Sequence, residues 1–200
     1  MVTAMLGPPE SHTRNVVHRT NRRPATAGRR GSSAGPQEGW NIVSRALPKP
    51  NDVASLIAGL TGRSAQFKPA KPHAFGKDFP EVVAIYRTDT GTLGATLACD
   101  IEFAASAGAA LTMIPADVVK ECATDGEMTE RLRENAHEVL NVAASLFNQP
   151  GFDHLVLSEV VLNGQVPEPV SALMAKPVSR TDLEGAIDGY PGGKCSILLP

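Results

Sequence analysis

The chain has 200 residues and a mass of 21.0 kDa, enough for one domain with a sizeable core, and no stretch approaches the ~20 consecutive apolar residues of a membrane-spanning helix. Its formal net charge of −2 excludes a uniformly basic nucleic-acid binder. The average conceals a division, because residues 1–50 carry eight Lys and Arg against two acidic side chains and the remaining residues carry a net −8.

Residues 1–50 are rich in Pro, Gly, Ser, Thr and Arg and poor in large apolar groups. Such a segment cannot bury enough surface to offset the entropy of ordering, so it is expected to be a flexible basic arm. It is read either as a solvated tail or as a tether to an acidic partner, and it is the one part of the chain suited to nucleic acid or anionic lipid. Met5-Leu6 gives way at once to Gly7-Pro8-Pro9, which lacks the apolar core of a secretory signal, so a cytoplasmic location without membrane insertion is expected.

The domain is expected over 51–200. Asp52 is placed to cap a short helix that Gly62 closes. A connector bearing Pro and Lys follows over 67–80. The β-rich runs 81–87 and 92–99 flank Thr88-Asp89-Thr90-Gly91 and read as a hairpin. Asp100 is placed to cap a helix from Ile101 to Thr112 whose Ala and Gly content permits another backbone to approach closely. Pro115 suits the first turn of another helix, broken at Asp125-Gly126.

The pattern over 129–147 predicts the longest helix: Leu132, Ala136, Val139, Leu140, Ala143, Leu146 and Phe147 share one face. Residues 154–162 read as a buried strand, and 170–175 as either strand or helix. Runs at 182–187 and 194–199 bracket 188–193 as a second hairpin. Hairpins and helices in succession, without β-α-β alternation, indicate an α+β fold with a largely antiparallel sheet.

The usual catalytic signatures are missing from this pattern. Cys99, Cys122 and Cys195 form no C-x-x-C pair and no histidine stands at ligand spacing, so neither a metal site nor a disulfide framework is expected. No G-x-S-x-G elbow occurs over 51–200, and His137 and His154 read as surface or boundary residues. The Gly-rich 189–196 stretch is one residue short of a phosphate-binding loop and has Cys195 where a hydroxyl residue is required.

The long helix carries a second, polar stripe of Glu134, Glu138, Asn141, Ser145 and Asn148. Asn141 costs a few tenths of a kcal/mol relative to Ala, roughly, in a helix interior, which raises the question of what it does there.

Glu138-Val139-Leu140-Asn141 resembles the E-x-x-N signature of the CheC/CheX/FliY class of response-regulator phosphatases, and the order of hairpin, Ala-rich helix, short helix, E-x-x-N helix and further strands is similar over 51–200. A single site in the domain is closer to the CheX type. The chain departs from the family pattern at Glu134, where Asp or Ser is usual, and at Gly164, where a proline is usual.

The resemblance implies a phosphorylated receiver domain as partner, with Mg²⁺ on that partner and no cofactor in this chain. Asn141 would orient water, Glu138 would pair with a lysine of the partner, and Glu134 and Ser145 would be further partner contacts. It leaves open whether the aspartyl phosphate is hydrolysed or the scaffold is a noncatalytic module. A homodimer through a sheet edge is a third reading.

Overall fold

Nearly continuous apolar runs such as 82–86 can be strands only if both of their faces are covered. The computed structural model, which describes residues 44–72, 74 and 81–200, meets that condition with a sheet between two unequal helical layers. Its strands are β1 (Ala65–Pro69), β2 (Glu81–Thr88), β3 (Leu93–Asp100), β4 (Leu155–Leu162), β5 (Ser179–Ile187) and β6 (Tyr190–Leu199). They are ordered β1-β5-β6-β3-β2-β4, and every neighbouring pair is antiparallel.

Helices α1 (Pro50–Thr61), α2 (Ile101–Thr112), α3 (Ala116–Asp125) and α4 (Glu130–Val142) share the larger core with one face of the sheet. The short α5 (Val170–Ala175) covers part of the other. Alternate residues of β2 serve the two layers: Val82, Ala84 and Tyr86 join the larger core, whereas Val83 and Ile85 meet Val170, Leu173 and Met174. The α+β class with an antiparallel sheet is therefore observed, as are the β2/β3 hairpin and the β5/β6 hairpin.

Several details differ from the sequence reading. Asp52 does not cap α1; the helix starts at Pro50, and the Asp52 carboxylate accepts from the Lys49 N–H at 2.8 Å, serving the helix start from inside the first turn. β1 lies partly in the expected connector, a strand because it pairs with β5. Residues 154–162 are not a buried strand: β4 ends the sheet order and leaves Val156, Ser158 and Glu159 exposed.

Asp100 does cap α2, with its Oδ1 accepting from Phe103 N–H at 2.7 Å, and its Oδ2 also accepts from Lys194 N–H at 2.9 Å. Helix and strand meet so closely here that a Cβ on Gly193 would stand 2.4 Å from both Asp100 Oδ1 and the Phe103 nitrogen. Gly192 and Gly193 thus serve packing, and the stretch belongs mainly to β6 rather than to a loop.

Most of the stretch read as an arm, residues 1–43, lies outside the described residues. Its end is fastened to the domain. Ala46 N–H donates to Gln149 Oε1 at 3.0 Å, Gln149 Nε2 donates to the Ala46 carbonyl at 2.6 Å, and Arg45 Nη2 donates to the Asp153 carbonyl at 2.8 Å.

Candidate functional site

The spacing of Leu132, Ala136, Val139 and Leu140 leaves α4 no choice of orientation, because these four side chains are buried in the larger core. The Thr129 hydroxyl accepts from Leu132 N–H at 3.4 Å at the helix start, and Glu130 adds an acidic group to the first turn. Near the middle, the chain has no side chain at Gly108 of α2, and α4 lies against that gap. Asn135 Nδ2 donates to Thr112 Oγ1 at 2.7 Å and also ties the two helices.

With the apolar face fixed inward, Glu134, Glu138 and Asn141 are all exposed. At about 100° per residue they fall within roughly 60° of one another around the helix axis. Among the described residues none forms a hydrogen bond or ion pair with the side chains of Glu134, Glu138 or Asn141. The stripe is therefore two carboxylates and one carboxamide held outward on α4, with no side-chain bond to any other described residue.

Ser145 is exposed as well, but the helix changes winding before it. After Val142 the chain continues as a 3₁₀ turn, Ala143–Phe147, so the single helix expected over 129–147 is an α segment followed by a tighter one. At about 120° per residue the tighter turn carries Ser145 roughly 60° further round than a continuous α-helix would. Asn148, the last polar position of the pattern, is turned inward to structure: its Nδ2 donates to the Leu155 carbonyl at 3.1 Å and its Oδ1 accepts from Leu155 N–H at 2.8 Å.

The change of winding coincides with a buried anchor that the sequence pattern did not single out. Tyr86, in β2, is fully buried, and its hydroxyl donates to the Leu140 carbonyl at 2.9 Å. Its ring stands 4.8 Å from that of Phe147, centroid to centroid. The available signal was a lone tyrosine in an apolar strand, since a buried phenol hydroxyl needs a partner.

Elsewhere the chemistry-bearing residues are dispersed. His137 and His154 are exposed, and the three cysteines are buried and joined in no disulfide among the described residues. Among the described residues no group of three or more His, Cys, Asp and Glu stands close enough to hold a metal ion, and no helix is long and apolar enough to cross a membrane. A cleft of about 370 Å³ at the start of α2, lined in part by Asp100, Glu102, Glu184 and Lys194, shares no residue with α4. The other E-x-x-N in the chain, at 38–41, lies outside the described residues.

No protein-family model matches the chain, and no curated protein does. Solved structures do. A chain of the FliM–SpeE complex from H. pylori superposes with a TM-score of 0.53 at 11% identity, over 76% of this chain and 81% of that one. A chain of the FliG–FliM complex from H. pylori gives 0.47 at 10% identity, over 76% and 86%. FliY from Thermotoga maritima gives 0.41 at 16% identity, over 74% and 81%. The first of these shows a shared fold.

Proposed function

We propose that this chain binds a phosphorylated receiver domain through the exposed face of α4, in the manner of the single-site CheX type, and hydrolyses its aspartyl phosphate. The observation that carries the reading is the joint exposure of Glu138 and Asn141 on one helix face, with no described residue bonded to either side chain. An aspartyl phosphate is an activated acyl phosphate, so a catalyst need only place water in line with the bond from phosphorus to the carboxylate oxygen. A carboxamide both donates and accepts hydrogen bonds, and Asn141 orients that water much as a glutamine does in GTPases. The products are inorganic phosphate and the receiver's free aspartate.

Glu138 pairs with a lysine of the receiver and fixes the docking register, a contact that contributes more to orientation and encounter rate than to affinity. Glu134 adds a second carboxylate one turn earlier. Ser145, turned to the side by the 3₁₀ winding, touches the edge of the docked partner. Mg²⁺ belongs to the receiver, so α4 needs no metal ligand of its own. The solved structure that shares this fold is a chain of a FliM–SpeE complex, which accords with a protein-binding scaffold.

The test measures phosphate loss from a panel of purified phosphorylated receiver domains, with the wild-type chain and with Asn141→Ala. Accelerated loss with the wild type and near-basal loss with the variant are expected for at least one receiver. Equal decay with and without the protein for every receiver overturns the phosphatase reading; binding that survives that result selects the noncatalytic module instead.

A further inference from the structure

Tyr86 touches both ends of the segment that follows Glu138 and carries Asn141. Its hydroxyl holds the Leu140 carbonyl, the residue just before Asn141, while its ring lies on Phe147, the last residue of the 3₁₀ turn. Everything between, from Asn141 to Leu146, is the stretch in which α-helix gives way to 3₁₀-helix. A side chain bonded into the helical ladder is one of the identifiable causes of altered winding. Tyr86 itself is held in place: it is fully buried in a strand hydrogen-bonded on both sides, opposite Ala95 of β3 and Leu157 of the edge strand β4.

We infer that Tyr86 is a positioning residue for the E-x-x-N site, holding the backbone at Leu140 from which Asn141 projects and setting where α4 tightens into the 3₁₀ turn just after it. The inference rests on the reading of Asn141 as the group that orients water, but its structural half stands independently of any activity. Burial first, and then the thiols of Cys99 and Cys195, hold the phenol well above its usual titration range, so the hydroxyl remains a donor at working pH. Phenylalanine at this position keeps the ring contact with Phe147 and removes the bond to Leu140, which separates anchoring from packing.

The experiment compares the full wild-type chain with Tyr86→Phe. Amide hydrogen exchange is expected to quicken about ten-fold across 141–147 in the variant while α2 and β6 keep their protection. Unchanged exchange over 141–147 overturns the inference. On any receiver the wild type dephosphorylates, Tyr86→Phe is expected to lower the saturated rate about ten-fold with little change in the concentration giving half-maximal effect, because misplacement of a reacting group is felt in the chemical step. Quickened exchange with an unaltered saturated rate overturns the positioning role.

A wild-type chain inactive on every receiver counts against the phosphatase reading alone, and the exchange result still decides the anchor. Should Tyr86→Phe not fold, the wild type reports by itself. A Tyr86 hydroxyl proton slow to exchange with water and close to Leu140 by NMR supports the anchor, and one in rapid exchange overturns it.

Discussion

A Cβ added to Gly108 would stand 2.9 Å from the backbone nitrogen of Ala136 and 3.0 Å from the Leu132 carbonyl oxygen. Helices α2 and α4 are therefore in near backbone contact at the turn that precedes Glu138. The obstacle is main chain rather than a pliable side chain, so α4 must shift to admit anything larger than glycine. Gly108→Leu is expected to destabilise the protein by about 2 kcal/mol or more, as overpacking of a tight core does. The urea midpoint should fall with an unchanged slope. A midpoint equal to wild type would show that the helices have slack here.

That contact is also where the sequence was most legible. The run of Ala and Gly between Ile101 and Thr112 has no reason to avoid large side chains except the close approach of another backbone, and the partner is α4. Periodicity likewise placed Leu132, Ala136, Val139 and Leu140 inward and so settled which α4 side chains face solvent. What it missed depends on neighbours far along the chain. β1 has a single large apolar residue, Phe67, and is a strand because β5 offers a pairing edge. β4 has the composition of a buried strand but a place at the end of the sheet order. The 3₁₀ turn follows an α-compatible pattern, and its winding coincides with the long-range bond from Tyr86.

The Asp100 carboxyl shows the cost of placing a charge at such a junction. Burial raises its pKa from 3.8 to about 6, and the donated hydrogen bonds from Phe103 and Lys194 only partly oppose that. A carboxyl whose folded pKa lies above its unfolded one contributes stability that is complete below about pH 4 and lost as pH rises through 6. Across that window the wild type should lose stability relative to Asp100→Asn, on the order of 2 kcal/mol. Urea denaturation of both proteins at pH 4, 5, 6 and 7 measures the difference. A difference that is flat or rises with pH would contradict the burial argument.

Thr96 is wholly buried in β3, and its hydroxyl has no hydrogen-bond partner among the described residues. The strand register sets it opposite Ile85 and Leu198, apolar residues of the smaller core. A desolvated hydroxyl without a partner is a net cost, and valine preserves the β-branched shape that the strand favours. Thr96→Val is accordingly expected to stabilise by about 1 kcal/mol. A higher thermal midpoint by calorimetry would bear this out, whereas a lower one would mean that the hydroxyl is satisfied.

The 3₁₀ turn separates residues that a continuous helix would have aligned. Glu134, Glu138 and Asn141 share one face, while Ser145 is carried roughly 60° off it. Alanine substitutions should therefore divide unequally. Ser145→Ala is expected to change receiver affinity by less than about three-fold, in line with a contact at the rim of an interface. Glu138→Ala should slow association and flatten its dependence on salt, because a docking charge acts chiefly on encounter. Surface-based binding kinetics at two ionic strengths, with one phosphorylated receiver and each variant, reads both effects. If Ser145→Ala weakened binding as much as Glu138→Ala, the docking face would have to extend around the 3₁₀ turn, and the partner would sit across both segments rather than along the α4 stripe.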